Sequence, residues 1–386
     1  MTAPRPAYDI DAWRRRIPLL ASCIPMNNCS QAPQTDATRA AAERYLDSWN
    51  RSGMDWDAWM AEVALAKNAF AKLIGAAPSD VAVFGSVSEA ASAVASALDL
   101  DGDRQRIVVS GMEFPGVAHV WLAQEGGRRG AQLCRVPVHN DGIDADSYDS
   151  LIDTRTALVS ACHGWYVNGF VQDVARIAAR ARAAGALSFV DAYQTLGAVP
   201  VNVRDLGVDF LATGTLKFLM GIPGIAFLYV RPEIVESLHP TATGWFGRAN
   251  PFAFDAQTLD WAPNASRFDA GTPAVVNAYI ARAGMEIIDD LSPASIRAWH
   301  EVLARRLIDG GRARALTLHG TDNVRQKTAT TAFVVPNAHA VETAMRVRGV
   351  LPSARGEVIR LAPHFYTTLD DVDCALDTLA DVIRAR

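Results

Sequence analysis

The residues best suited to chemistry sit in one stretch, 189–230, FVDAYQTLGAVPVNVRDLGVDFLATGTLKFLMGIPGIAFLYV. Asp191 closes one apolar run, Asp209 opens the next, and Lys217 stands in a Thr/Gly-bounded turn ahead of GIPG. Apolar residues before the lysine, and Phe218, Leu219 and Met220 after it, imply a partly desolvated amine. Desolvation disfavours the charged form and lowers a lysine pKa. A neutral amine can attack a carbonyl carbon and form a Schiff base. The same pattern also describes a surface lysine in a loop. A second feature is Ser86, Val87 and Ser88, where a strand passes into a helix. Amides and hydroxyls there can hold a phosphate at the positive end of the helix dipole, or Ser88 can simply cap the helix.

The elements that must position these groups alternate along the middle of the chain. A helix is expected over 86–98, strands over 106–109 and 157–161, a helix over 174–184 ended by Gly185, and strands over 187–190, 208–212 and 225–230. Short apolar strands alternating with helices imply βαβ units and a mainly parallel sheet covered on both faces. Ligands gather at the carboxyl ends of such strands. After about residue 264 the pattern changes to helices over 275–288 and 296–308, strand 331–335, helix 340–348, strand 358–361 and a last helix from 370. The expected organisation is therefore α/β, with a large domain over 26–264 and a smaller α+β domain over 265–386. The segment 1–25 is expected to cross and join the small domain.

Composition narrows the function. The chain has 386 residues, 50% hydrophobic and 20% charged, which suits an ordinary globular protein of about two domains. A net charge of -5 gives no basic footprint for nucleic acid. No secretion signal and no apolar run near the roughly 18 residues of a membrane span is visible, so a cytoplasmic protein is expected. Cys23, Cys29, Cys134, Cys162 and Cys374 are scattered without ligand spacing. They read as reduced thiols, and no metal site is expected.

Four segments together resemble the fold-type I, class V family of pyridoxal phosphate enzymes, over nearly the whole chain: VDAYQTLGAVPV, the TGTLK turn, GWFGRANPFAFD with RFDAGTP, and VIRLAPHFY. That family includes cysteine desulfurases, selenocysteine lyases, kynureninases, isopenicillin-epimerase-like proteins and some aminotransferases. The resemblance implies a mainly parallel, seven-stranded-type sheet and pyridoxal 5'-phosphate on Lys217. It implies Asp191 at the pyridinium nitrogen, Gln194 at the phenolate oxygen, and Phe114 stacked on the ring, with Tyr166 nearby. Ser86, Val87, Ser88 and Thr215 would hold the phosphate, joined by Trp245 and Thr272 of a second subunit in a homodimer with shared sites. Arg360 would clamp the substrate carboxylate, since a planar fork suits it better than lysine. Arg355 would support that role, and Asn28 of MNNCSQAP would lie in a loop lining the pocket.

The departures from the family bear on the reaction. Cysteine desulfurases carry a nucleophilic cysteine on a mobile loop shortly before the carboxylate-binding arginine, and here GVLPSARGEVIR has none. Cys374 falls in the apolar rhythm of the last helix and is expected to be buried and inert. Tyr166 and Phe114 lean toward kynureninases, but Leu216 before the lysine and Gln194 depart from them. His163 follows a strand beside Cys162, close to these residues. The expected activity is Cβ-bond cleavage or elimination on a small-molecule α-amino acid substrate, of C–S or C–C lyase type without a persulfide cysteine. Class V transamination and epimerisation or racemisation share its first half, and a non-catalytic pyridoxal phosphate-binding protein is the contrary class.

Overall fold

The computed structural model describes residues 4–100, 102–125, 130–139 and 142–385. Residues 1–3 of the expected N-terminal segment and residue 386 of the expected small domain lie outside them. The chain opens with α1 (Ile10–Arg15), β1 (Ile24–Pro25) and two long helices, α2 (Asp36–Ser52) and α3 (Trp56–Ile74). Next come β2 (Val81–Phe84), α4 (Val87–Ala97), β3 (Arg106–Ser110), α5 (Pro115–Leu122), β4 (Gln132–Val136) and β5 (Thr156–Cys162). They are followed by α6 (Val174–Ala183), β6 (Leu187–Asp191), α7 (Val203–Leu206), β7 (Phe210–Gly214), β8 (Ala226–Val230) and α8 (Pro232–Val235). The patterning over 36–74 was not assigned from sequence. Both of its helices form on local signals, Thr35 capping α2 through a reciprocal box with Thr38 and Gly75 ending α3 in the left-handed region.

These strands build one seven-stranded sheet in the order β2-β8-β7-β6-β5-β3-β4. The strands from β7 to β4 run parallel, and β8 is antiparallel to both neighbours. The mainly parallel α/β fold is thus as the residues led one to expect. Ser110, Cys162, Asp191 and Gly214 are all carboxyl-terminal residues of strands, so they share one edge of the sheet. Lys217 lies three residues past β7 on that edge. Helices cover both faces: Phe70 of α3 stacks on Phe227 of β8 at 4.9 Å, while Trp121 of α5 meets Phe189 of β6 edge-on at 5.5 Å. Each such fully buried aromatic contributes about 1.5–3 kcal/mol by leaving water.

The remaining elements are α9 (Val275–Leu291), α10 (Pro293–Ala313), β9 (Leu318–His319), β10 (Thr331–Val334), α11 (Ala338–Val347), β11 (Val350–Leu351), β12 (Ser353–Arg355), β13 (Val358–Leu361) and α12 (Leu369–Arg384). An antiparallel four-stranded sheet, β12-β13-β10-β9, is backed by the last three helices. Ile24 and Pro25 pair in parallel with Val350 and Leu351, and Asn27 bridges to Ala362. The N-terminal strand thereby carries the following loop, 26–32, across the carboxyl edge of the large sheet.

α9 packs against α2 and α3, with Met285, Ile287 and Ile288 buried in the same cluster as Phe70 and Phe227. Its closest approach is at Gly284, where an added Cβ would collide with the Leu219 carbonyl oxygen in the turn just after Lys217. Gly284→Ala is therefore expected to lose about 1–3 kcal/mol through overpacking against backbone. Urea or thermal unfolding checks this, and wild-type stability in the variant would contradict the packing described.

Candidate active site

The turn that follows β7 carries Lys217 back over the sheet edge. Its Nζ lies 4.1 Å from the Tyr193 ring centre and 5.5 Å from that of Phe114. Tyr193 can lie there because residue 214 is glycine, since a Cβ at that position would strike the phenol. Protein surrounds the amine, and burial lowers its pKa from 10.5 to about 8, against the opposing pull of Asp191 and Cys29. Arg360 and Arg355 push in the same downward direction.

Asp191 ends β6 and is buried, with a carboxylate oxygen accepting the Tyr193 N–H at 2.8 Å. Burial raises its pKa, while that hydrogen bond and Lys217 favour the charged form. Gln194 is buried and donates from Nε2 to the Cys29 carbonyl at 3.0 Å, tying the Asp191 turn to the N-terminal loop. His163 supports the same turn: its N–H donates to the Asp191 carbonyl and its Nδ1 lies 3.0 Å from the Thr195 hydroxyl. Burial lowers its pKa to about 4, so it is neutral.

Arg360, on β13, is 1% exposed. Nη1 donates to the Tyr166 carbonyl at 2.6 Å, Nη2 to the Ser353 hydroxyl at 2.5 Å and to the Ser30 hydroxyl at 3.2 Å, and Nε to the Ser353 carbonyl at 3.3 Å. The Tyr166 ring stands edge-on to Phe114, centres 5.1 Å apart. Arg355 is exposed at the end of β12. Asn28 is buried with both polar atoms engaged, donating to the Ala362 carbonyl at 2.8 Å and accepting from the Tyr366 hydroxyl at 2.6 Å. It braces the loop whose next residues, Cys29 and Ser30, face the lysine and the arginine.

At the start of α4, Ser86 is the N-cap and accepts the Glu89 N–H at 3.2 Å. The amides of Val87 and Ser88 fall in the first turn, where a helix supplies no acceptor of its own. The Ser88 hydroxyl donates to the Gly116 carbonyl at 2.9 Å, which sets this helix start against the turn carrying Phe114. Thr215 is buried, its hydroxyl donating to the Ile222 carbonyl at 3.2 Å. Trp245 packs instead with Trp56, Phe246 and Phe254, and Thr272 is exposed ahead of α9. Lys217, Asp191, Phe114, Tyr166, Gln194 and Arg360 thus meet at one sheet edge, whereas Trp245 and Thr272 belong to another surface of the subunit.

Sequence reasoning passed over Tyr193, Cys29 and Ser30 as site residues; their only signal was adjacency to Asp191, Gln194 and Asn28. It also misplaced Cys374, which is exposed on α12. The buried stripe of that helix runs through Val372, Ala375, Leu376 and Leu379, and residue 374 faces away from it.

A family model described as Aminotransferase class-V matches residues 30–352. The chain belongs to the class-V aminotransferase family. The uncharacterized aminotransferase YcbU of Bacillus subtilis is 35% identical over 96% of this chain and 97% of that protein. A kynureninase of Pseudomonas fluorescens is 26% identical, covering 88% of this chain and 82% of the relative. The fold matches an apo cysteine desulfurase from Thermococcus onnurineus with a TM-score of 0.88 at 21% identity, over the full length of both chains. This class-V enzyme uses pyridoxal phosphate.

The residues present fit that cofactor. A lowered-pKa amine beside a buried carboxylate and a flat aromatic ring, with the start of an eleven-residue helix set against the turn that carries that ring, is the donor set an aldehyde, a ring nitrogen, a ring face and a phosphate require. One carboxylate stands close to the helix start: Glu89 Oε2 accepts the Gly85 N–H at 2.9 Å.

A partly buried lysine whose desolvated amine has a depressed pKa costs stability while it is protonated. The unfolded chain binds the proton up to pH 10.5 and the folded one only to about 8, so stability rises with pH between those values. In cofactor-free protein, Lys217→Met is expected to be more stable than wild type at pH 7 by up to about 3 kcal/mol. That gain should shrink toward zero above pH 10.5. Denaturation at a series of pH values checks it, and a pH-independent difference would contradict the burial of a charged amine.

Proposed function

We propose that this enzyme cleaves or eliminates a Cβ substituent of an α-amino acid, a C–S or C–C lyase reaction that uses no persulfide cysteine. The convergence of Lys217, Asp191 and Arg360 in one aromatic-walled site carries the amino-acid reading. The cofactor, when bound, supplies an electron sink for the charge left at Cα. Asp191 is assigned to the ring nitrogen and Gln194 to the phenolate oxygen, with Phe114 against the ring face and Tyr166 completing that wall. Val87, Ser88, Ser86 and Thr215 are assigned to the phosphate.

Lys217 would hold the cofactor at its aldehyde carbon, and its Nζ, when free, would take up and return the Cα proton. A pKa of about 8 suits both taking and returning that proton near neutrality. Arg360 is assigned to the substrate carboxylate. Of its five N–H donors, one Nη1 proton is unused and one Nη2 proton sits on the long 3.2 Å bond to Ser30, so a carboxylate can take both as a fork. Arg355 adds positive potential at the entrance, and Asn28 shapes the loop behind it.

Support for direct elimination comes from the connection between β12 and β13, which is only Gly356 and Glu357, with no cysteine and no length for a mobile loop. A second reading, transamination, is favoured by the name of the Bacillus subtilis relative. A homodimer is part of the proposal, Trp245 and Thr272 being offered to the partner's phosphate. The exposed Phe252 and Phe254 beside Trp245, 47% and 74% accessible, suit such a covered surface. The free state of all five cysteines suits a reducing, cytoplasmic setting.

The deciding experiment adds a panel of amino acids to the yellow holoenzyme and follows cofactor absorbance with product masses. The lyase reading expects the starting spectrum to return while a shortened amino acid, or ammonia with a 2-oxo acid, accumulates. Lasting conversion of the cofactor to its amine form with one equivalent of the matching 2-oxo acid would replace it by transamination. For whichever amino acid responds, Arg360→Lys is expected to raise KM at least about tenfold, since a point charge cannot supply the fork. An unchanged KM would remove Arg360 from carboxylate binding.

A further inference from the structure

Behind Asp191 the structure buries a second carboxyl group that the reaction does not use. Glu113 lies between β3 and α5, one residue before Phe114, and is 7% exposed. Its Oε1 accepts the Ser160 hydroxyl at 2.7 Å, and Ser160 Oγ in turn accepts the Trp121 indole N–H at 2.8 Å. The Ser160 proton is therefore committed to Oε1. Glu113 Oε2 is buried with no hydrogen-bond partner.

Hydrogen bonding ties Glu113 to the end of β5, the strand beside Asp191. Cys162 is paired with Asp191 on the parallel neighbour β6, and Ser160 with Phe189. The Cys162 thiol donates to the Met112 carbonyl at 3.2 Å, which fixes the backbone just before Glu113 against this pair of strands. The groups around Glu113 are thus Ser160 and Cys162 from β5, Asp191 from β6, Trp121 from α5, and Tyr148, whose hydroxyl donates to Gln172 Oε1 at 2.9 Å. None of these neighbours is a cation.

We propose that Glu113 and Asp191 form a buried carboxyl pair that shares one negative charge, with the proton resident on Glu113 and the charge on Asp191. Two adjacent buried carboxylates cannot both ionise at low cost, so the site with the better partners takes the charge. Asp191 has them: the Tyr193 N–H and the Lys217 amine both stabilise its carboxylate. Glu113 has a single hydroxyl. Burial first and the Asp191 charge second push Glu113 up to about 8, with the Ser160 bond opposing. Oε2 then carries an O–H. A second fully ionised carboxylate there would repel the Asp191 charge and raise the cost of keeping it.

Glu113 is on this account a positioning residue, fixing the charge at Asp191 where a ring nitrogen must be met. The consequence for the cofactor rests on the assignment of Asp191 under the proposed function, whereas the carboxyl pair itself does not. Gln reproduces a neutral acid in shape, so Glu113→Gln should keep the cofactor within about threefold of wild-type affinity by equilibrium dialysis, and Asp191→Asn should release it.

The test is infrared difference spectroscopy on holoenzyme, wild type minus Glu113→Gln, from about pH 6 to about pH 10. A protonated-carboxyl C=O band is expected near neutrality and should fade as pH rises through about 8. Compared between cofactor-free proteins, the Asp191→Asn background should move its midpoint to lower pH, because the like charge is gone. Absence of the band near neutrality, or a midpoint unmoved by Asp191→Asn, overturns the pair while leaving Asp191 free to bind the ring. The band behaving as expected while Asp191→Asn retains cofactor fully would instead support the pair and overturn the Asp191 assignment. Circular dichroism confirms folding of each variant, and the pH series on wild type with carbonyl-labelled glutamate needs no variant at all.

Discussion

A lysine amine held among protein groups between a phenol ring and a buried carboxylate is the constraint on which the rest of this structure depends. Desolvation alone would drive Lys217 far toward neutrality, and an exposed Asp191 would hold it fully charged. The observed balance, a pKa lowered to about 8, needs both the enclosure and the carboxylate at a controlled remove. Each flanking feature serves that balance. Gly214 admits the Tyr193 ring, the Tyr193 amide fixes Asp191, and Gly284 lets α9 close against the turn behind the lysine.

The two domains contribute unequally to the site. The large sheet supplies the amine, the carboxylate and the helix start from the carboxyl ends of its strands, which are rigid because helices cover both faces. The smaller domain supplies Arg360 from a buried strand. The N-terminal loop joins the two, since Asn28 bonds Ala362 and Tyr366, the Cys29 carbonyl receives Gln194, and Ser30 touches Arg360. A change in how the small domain sits would move Arg360 relative to Lys217, so this loop ties the positions of the two residues together.

Much of this was legible in the sequence because the informative signals are local. Asp191 closes an apolar strand and Lys217 follows one by a fixed interval, and such residues keep their place on a sheet edge whatever packs nearby. The parallel sheet was legible for the same reason, from short β-branched runs alternating with helices. The helices over 36–74 owe much of their stability to packing on α9, a contact far away in sequence. Tyr193, Ser30 and Glu113 were invisible because their importance lies in long-range geometry: a register between strands, a loop crossing domains, an oxygen left without a partner. Cys374 shows the opposite failure, an apolar neighbourhood in sequence that a 3.6-residue period turns outward.

The central claim, that Lys217 is the amine the cofactor uses, is tested most directly by borohydride reduction of the holoenzyme followed by peptide mass analysis. The chain offers a built-in control, since Lys327 is buried, its amine has no hydrogen-bond partner and burial lowers its pKa to about 7. The account predicts that the reduced pyridoxyl mass appears on the peptide containing Lys217 and nowhere else. Its appearance on Lys327, or on an exposed lysine with Lys217 unmodified, would contradict the account at its root.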